Sequence, residues 1–115
     1  MIPLPIMRFP LAQPLPDLPP YITADDVYIK IIPVAKAGTL LDQHVHKYDH
    51  TTMLCTGAVR VWEDGQHKGD YRAPFPFVVK AGVFHQFQSL KDDTLLLCIH
   101  NAMRPDVAAI IDGDE

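Results

Sequence analysis

Short apolar runs separated by turn signals recur along most of the chain, and they predict strands rather than helices. Residues 27–34 (VYIKIIPV) are rich in β-branched and aromatic side chains, and residues 50–56 and 58–63 repeat this pattern on either side of Gly57. No segment has a convincing amphipathic helical period. The pattern therefore predicts an all-β protein, built as an antiparallel sandwich or a small barrel.

The second half of the chain continues this pattern. Residues 77–80 and 84–90 are predicted strands, and Ala81-Gly82 is the turn that joins them. Residues 94–101 (TLLLCIHN) are apolar at nearly every position. A strand with two apolar faces is expected to lie between a core and either a second sheet or a neighbouring subunit.

The two ends of the chain differ in composition from its middle. Residues 1–20 are rich in proline, which excludes a helical signal peptide or a membrane span and predicts an extended arm. We expect this apolar arm to pack across its own barrel or a neighbouring subunit. Residues 21–111 are then one domain, and residues 112–115 form an acidic tail that should fray.

Charge and cysteine content narrow the range of partners and locations. The formal net charge is −4, and no run of Lys or Arg is interleaved with aromatic residues, so a nucleic-acid partner is not expected. Cys55 and Cys98 lie inside apolar runs and are predicted to be buried free thiols in a reducing compartment. These observations predict a cytoplasmic protein that does not associate with membranes.

Histidines supply the candidate chemistry of this chain. Three of the six lie close together in the stretch HVHKYDH, and in the strand predicted for residues 39–46 the side chains of His44 and His46 would share one face. His50 is an even number of positions from His46, so its side chain could lie on the same face. His85 lies in the later strand predicted for residues 84–90. Neutral imidazole nitrogens bind divalent metals, so these four histidines are candidate ligands. A solvated surface cluster is the alternative that the pattern leaves open.

The spacing around these histidines resembles the first motif of the cupins, the small RmlC-like jelly-roll barrels. That motif is a glycine, five residues, His-x-His, three or four residues, a glutamate, six residues and a glycine. Gly38, His44, His46 and Gly57 occupy its positions in this chain. Where the family has its glutamate, this chain has His50.

A second stretch resembles the second cupin motif, Pro-x-Gly-x-x-His followed after three residues by Asn. Here it is KAGVFH, with Lys80 in the place of the proline, His85 in the place of the histidine and Ser89 in the place of the asparagine. The resemblance implies a cupin-type antiparallel β-barrel, also called a double-stranded β-helix or jelly roll. It also implies that His44, His46 and His85 bind a metal, with His50 at the position of the family's carboxylate ligand.

An imidazole-rich shell suits iron, nickel or zinc, and also manganese or copper, better than magnesium or calcium. We expect a metal-dependent, iron-type dioxygenase acting on a small organic substrate. A non-redox lyase or isomerase and a non-catalytic binding module remain open. His100 is a candidate acid/base or supporting residue, with a hydrogen-bonded core histidine as the alternative, and Tyr48 is a candidate hydroxyl at the pocket edge. Because cupins commonly dimerise through their sheets, the resemblance also implies a homodimer.

Overall fold

Two antiparallel sheets make up the computed structural model, which describes residues 18–42 and 45–101. The described residues contain no helix, and hence none long and apolar enough to cross a membrane. Their strands are, in chain order, β1 (Tyr21–Ala24), β2 (Val27–Val34), β3 (Leu40–Asp42), β4 (His50–Thr56), β5 (Ala58–Glu63), β6 (Gln66–Arg72), β7 (Phe75–Val79), β8 (His85–Ser89) and β9 (Thr94–Asn101). One sheet has the order β1-β2-β9-β4-β7, and the other has the order β3-β8-β5-β6.

Four of the predicted strands are confirmed at the bounds that the sequence indicates. These are β2, β4, β5 and β9, all rich in β-branched or aliphatic residues. β4 and β9 alternate between buried and half-buried positions along their length, as strands with one face on a core should. The predicted two-sheet antiparallel architecture is confirmed with them.

Two local predictions are wrong. The strand predicted for residues 39–46 ends at Asp42, and residues 45–49 lie outside any strand, so His46 is carried by a loop. Residues 66–72, for which the hydrophobic pattern predicts no strand, form β6 at the edge of the four-stranded sheet. Edge strands can be polar on both faces, which explains why the hydrophobic pattern did not reveal β6.

The core lies between the two sheets. Leu54 and Leu96 come from the five-stranded sheet, Val59, Val61 and Phe87 come from the four-stranded sheet, and all five side chains are almost inaccessible to solvent. Each is an inward-facing member of its strand, so burial of these two apolar faces holds the sheets together.

The outer face of the five-stranded sheet is also apolar. Leu95, Leu97 and Ile99 of β9 are half-buried there, while the alternate residues of β9 face the core. Cys98 is buried as predicted, but Cys55 is only half-buried because it lies in the outer row of β4. The homodimer that would cover this face stays a prediction. Residues 1–17 of the predicted arm and the chain after residue 101 lie outside the described residues.

Gly57, which joins β4 to β5, should not tolerate a side chain. Its φ is +83°, and a Cβ atom there would lie 2.8 Å from Thr94 Cα and closer still to Thr94 Oγ1. Gly65 has nearly the same φ, +82°, but no atom within 4 Å of such a Cβ. We expect Gly65→Ala to cost about 1 kcal/mol of stability and Gly57→Ala roughly 3 kcal/mol, the excess being steric overlap. Urea unfolding followed by circular dichroism measures both; equal losses would contradict the steric explanation.

Candidate metal centre

Three contacts attach the histidine-bearing loop to the turn before β8. The backbone N–H of Gly82 donates to the carbonyl of His46 at 2.9 Å, and the N–H of Ala81 donates to Asp49 Oδ1 at 2.7 Å. Lys80 Nζ lies 3.6 Å from Asp49 Oδ2. These contacts bring together the two stretches that resemble the cupin motifs, although they are more than thirty residues apart in the sequence.

Three imidazole rings and one phenol ring cluster where this loop meets the five-stranded sheet. The ring of His46 lies 5.1 Å from that of His50, edge to face, and 5.1 Å from the ring of Tyr48, on which it stacks. His50 and His100 stack with their centroids 4.5 Å apart. The Tyr48 hydroxyl and His100 Nδ1 form a hydrogen bond of 3.2 Å. Tyr48 is buried rather than at the edge of a pocket, and it contacts the other residue predicted to act in catalysis.

His50 is the least compensated of these side chains. Only 6% of its surface is exposed, and neither ring nitrogen has a hydrogen-bond partner. The pKa of His50 is lowered from 6.5 to about 3. The largest cause is burial, followed by the positive charge that the neighbouring His100, His46 and His85 would carry, and Asp49 has a smaller opposing effect. The imidazole is therefore neutral at physiological pH, which is the form that binds metals.

His85 approaches from the opposite sheet and is 1% exposed. Its Nδ1 lies 3.3 Å from the carbonyl oxygen of Val83. Its Nε2 makes no hydrogen bond, although Oε2 of Glu63 is only 3.2 Å away. Sequence reasoning missed Glu63, because its position beside His85 follows from the pairing of β5 with β8 and has no signal in either segment alone.

His50 and His100 line a cleft of about 290 Å³ at the end of the sheet where β2 and β4 begin and β9 ends. A larger groove of about 730 Å³ lies at the other end of β4, beside Cys55, and contains no imidazole in its lining. The chemistry of the donor groups therefore favours the smaller cleft as the route by which a ligand would reach the cluster.

The donor groups fit a divalent transition ion that binds nitrogen ligands, because buried imidazole nitrogens of His50 and His85 have no hydrogen-bond partners. The rings are not arranged around one point, however. No three His, Cys, Asp or Glu side chains in residues 18–42 and 45–101 are arranged to hold a metal, and the predicted ligand His44 lies outside these ranges. The ligand set stays a prediction.

Acid should destabilise the metal-free protein through His50. Because the pKa of His50 is lower in the folded state, about 3, than its ordinary value of 6.5, its contribution to stability is complete above pH 6.5. That contribution is lost as the pH falls from 6.5 towards 3, by up to about 1 kcal/mol per pH unit. Urea unfolding in the presence of EDTA should show this slope, and His50→Asn should make it shallower. An identical slope in the variant would contradict the assignment of this pH dependence to His50.

No protein-family model and no curated protein matches the sequence. Three solved structures show what the chain is similar to. KdgF from Halomonas sp. is 20% identical with a TM-score of 0.59, over 74% of this chain and 78% of that one. An RmlC-like cupin family protein with a double-stranded β-helix fold, from Methanocaldococcus jannaschii, is 14% identical with a TM-score of 0.60, over 78% and 80%. A cupin superfamily protein from Desulfitobacterium hafniense is 20% identical with a TM-score of 0.57, over 70% and 71%. Identities this low show the fold alone. The chain has the cupin fold, an all-β double-stranded β-helix.

Proposed function

We propose that the protein is a metal-binding cupin that acts as an iron-type dioxygenase on a small organic substrate. The proposed ligands are His44, His46, His50 and His85. One observation carries the proposal: imidazole nitrogens of His50 and His85 are buried at one end of the sheets without hydrogen-bond partners.

Core histidines without a ligand would explain this arrangement poorly. A buried polar atom without a hydrogen bond costs on the order of 1–3 kcal/mol, and most buried nitrogens in proteins are paired. Here the unpaired atoms are both nitrogens of His50 and Nε2 of His85. A divalent transition ion would satisfy Nε2 of His85 and one of the two ring nitrogens of His50, and the lowered pKa of His50 keeps its ring in the form that binds a metal.

The donors and their surroundings support the proposal of an oxygen-using reaction. The chemistry that an iron ion supplies at a histidine-rich site with open positions is activation of dioxygen. Beside this site, the Tyr48 hydroxyl and His100 Nδ1 form a buried pair that can hold a proton or pass one on. A cleft of about 290 Å³ at His50 and His100 is of the size that a small organic molecule needs.

A non-catalytic binding module is the second candidate. It is favoured by the nearly complete burial of His50 and His85, which are 6% and 1% exposed. Structural metal sites are closed by protein ligands, whereas catalytic sites keep a coordination position for water or substrate. The two candidates therefore differ in whether a small molecule can reach the metal.

Loss of either buried histidine should weaken metal binding. We expect His85→Ala and His50→Ala each to reduce Zn²⁺ affinity by roughly 10-fold to 100-fold or more, because each removes a ligand. His67→Ala is the matched control, since His67 is exposed and its Nε2 lies 3.2 Å from Asp70 Oδ1 on β6. Competition with a chromophoric chelator measures the affinities. Equal affinity of His85→Ala and the wild type would disprove the site, and full affinity of His50→Ala would leave a three-histidine shell.

Access to the metal separates the dioxygenase from the binding module. We expect protein loaded anaerobically with Fe²⁺ to give a high-spin iron–nitrosyl EPR signal when nitric oxide is added, because a dioxygenase site has an open position for a diatomic ligand. The His85→Ala variant, treated identically, serves as the control for iron bound elsewhere. A wild-type sample that retains its iron but gives no nitrosyl signal would rule out the dioxygenase and favour the closed site.

A further inference from the structure

Glu63 is a carboxylate on the inner side of the four-stranded sheet. In β5 it follows Val59 and Val61 at alternate positions, and both of these side chains face the core. Its register partner on β8 is His85, which is also buried. The apolar inner row of β5 thus ends in a charged group beside one of the proposed ligands. The Glu63 side chain is 39% exposed, so water solvates part of this carboxylate and a partner is needed only on the side next to His85.

The contacts of His85 indicate what that partner is. A carbonyl oxygen can only accept, so the contact of Nδ1 with the Val83 carbonyl at 3.3 Å places the proton of a neutral imidazole on Nδ1. Nε2 is then the nitrogen without a proton, and it lies 3.2 Å from Glu63 Oε2 without a hydrogen bond between the two atoms. Two acceptors at this distance repel each other, and a cation bound to both would remove the repulsion.

The distance between His85 Nε2 and Glu63 Oε2 agrees with coordination of one metal ion by both atoms. Ligands at about 2.1 Å from a divalent transition ion, at tetrahedral to octahedral angles, lie about 3.0–3.4 Å from each other. The His85 Nε2 to Glu63 Oε2 distance of 3.2 Å falls within this interval. We propose that Glu63 is a ligand of the metal site, a role that rests on the proposed function, and that it supplies the carboxylate that is missing at position 50.

Charge provides an independent reason for this role. A divalent ion surrounded only by neutral imidazoles keeps its full double charge in a buried site, which is costly. Where the cupin motif has a glutamate, this chain has His50, and a neutral imidazole brings no negative charge. Glu63 would restore a net single charge from the facing sheet. The ion would then bind more tightly and prefer an anionic substrate less strongly than with an all-histidine shell.

Zn²⁺ affinity of the full chain tests the proposal, measured by competition with a chromophoric chelator. We expect Glu63→Gln to bind at least 10-fold more weakly than the wild type. Glu63→Asp keeps the charge and should lose less. Asp42→Asn is the matched control, because Asp42 is an exposed carboxylate at the same end of the same sheet and accepts a hydrogen bond from Gln86. Its affinity should stay within twofold of the wild type.

The outcomes separate this proposal from the proposed function. If Glu63→Gln binds Zn²⁺ within twofold of the wild type while His85→Ala binds weakly, the pair of Glu63 and His85 is an ordinary ion pair and only the role of Glu63 is wrong. Equal weakening in Glu63→Gln and Asp42→Asn would show a general charge effect and also overturn it. A wild-type chain that binds no Zn²⁺ would overturn both. Thermal melting of each metal-free variant checks that it is folded.

Discussion

Contact between the two sheets brings together the groups of the candidate site that the strands carry. The inner row of β4 runs from Leu54 to His50, and that of β9 runs from Leu96 to His100. In the facing sheet, the inner row of β8 runs from Phe87 to His85, and that of β5 ends at Glu63. Each row is apolar near the centre and polar at the same end. Strand pairing within each sheet places His50 beside His100 and Glu63 beside His85, and burial of the apolar parts brings these two pairs to one region.

The loop that carries His46 depends on a second constraint. It has no strand ladder of its own, and its position is set by hydrogen bonds to the turn before β8, with Asp49 accepting from Ala81 and His46 accepting from Gly82. Backbone groups in such a loop need partners if they are withdrawn from water. The turn at residues 80–82 thus has two roles, since it starts β8 at His85 and also holds the loop that presents His46 beside His50.

His50, at the position that corresponds to the glutamate of the cupin motif, contributes an imidazole rather than a carboxylate to the candidate site. His50 is buried and neutral, with both ring nitrogens unpaired. In the proposed centre the negative charge comes instead from Glu63, which β5 places against His85. The inner rows of both sheets end at the same site, so a carboxylate on either sheet can reach it. A ligand is therefore defined by its position in space rather than by its position in the motif.

The sequence by itself determined the strand content and most of the candidate donors. Short runs of β-branched, aromatic and aliphatic residues predicted β2, β4, β5 and β9 at their observed bounds, and the motif spacing singled out His50 and His85 before any fold was known. It failed for β6, whose polar residues carry no alternation, and for His46, where a strand was expected and a loop is observed. Only the tertiary structure decided that His100 stacks on His50 and that Glu63 faces His85. The physical reason is that local patterns record which face of a strand is buried, whereas the register between strands distant in the sequence decides which buried residues touch.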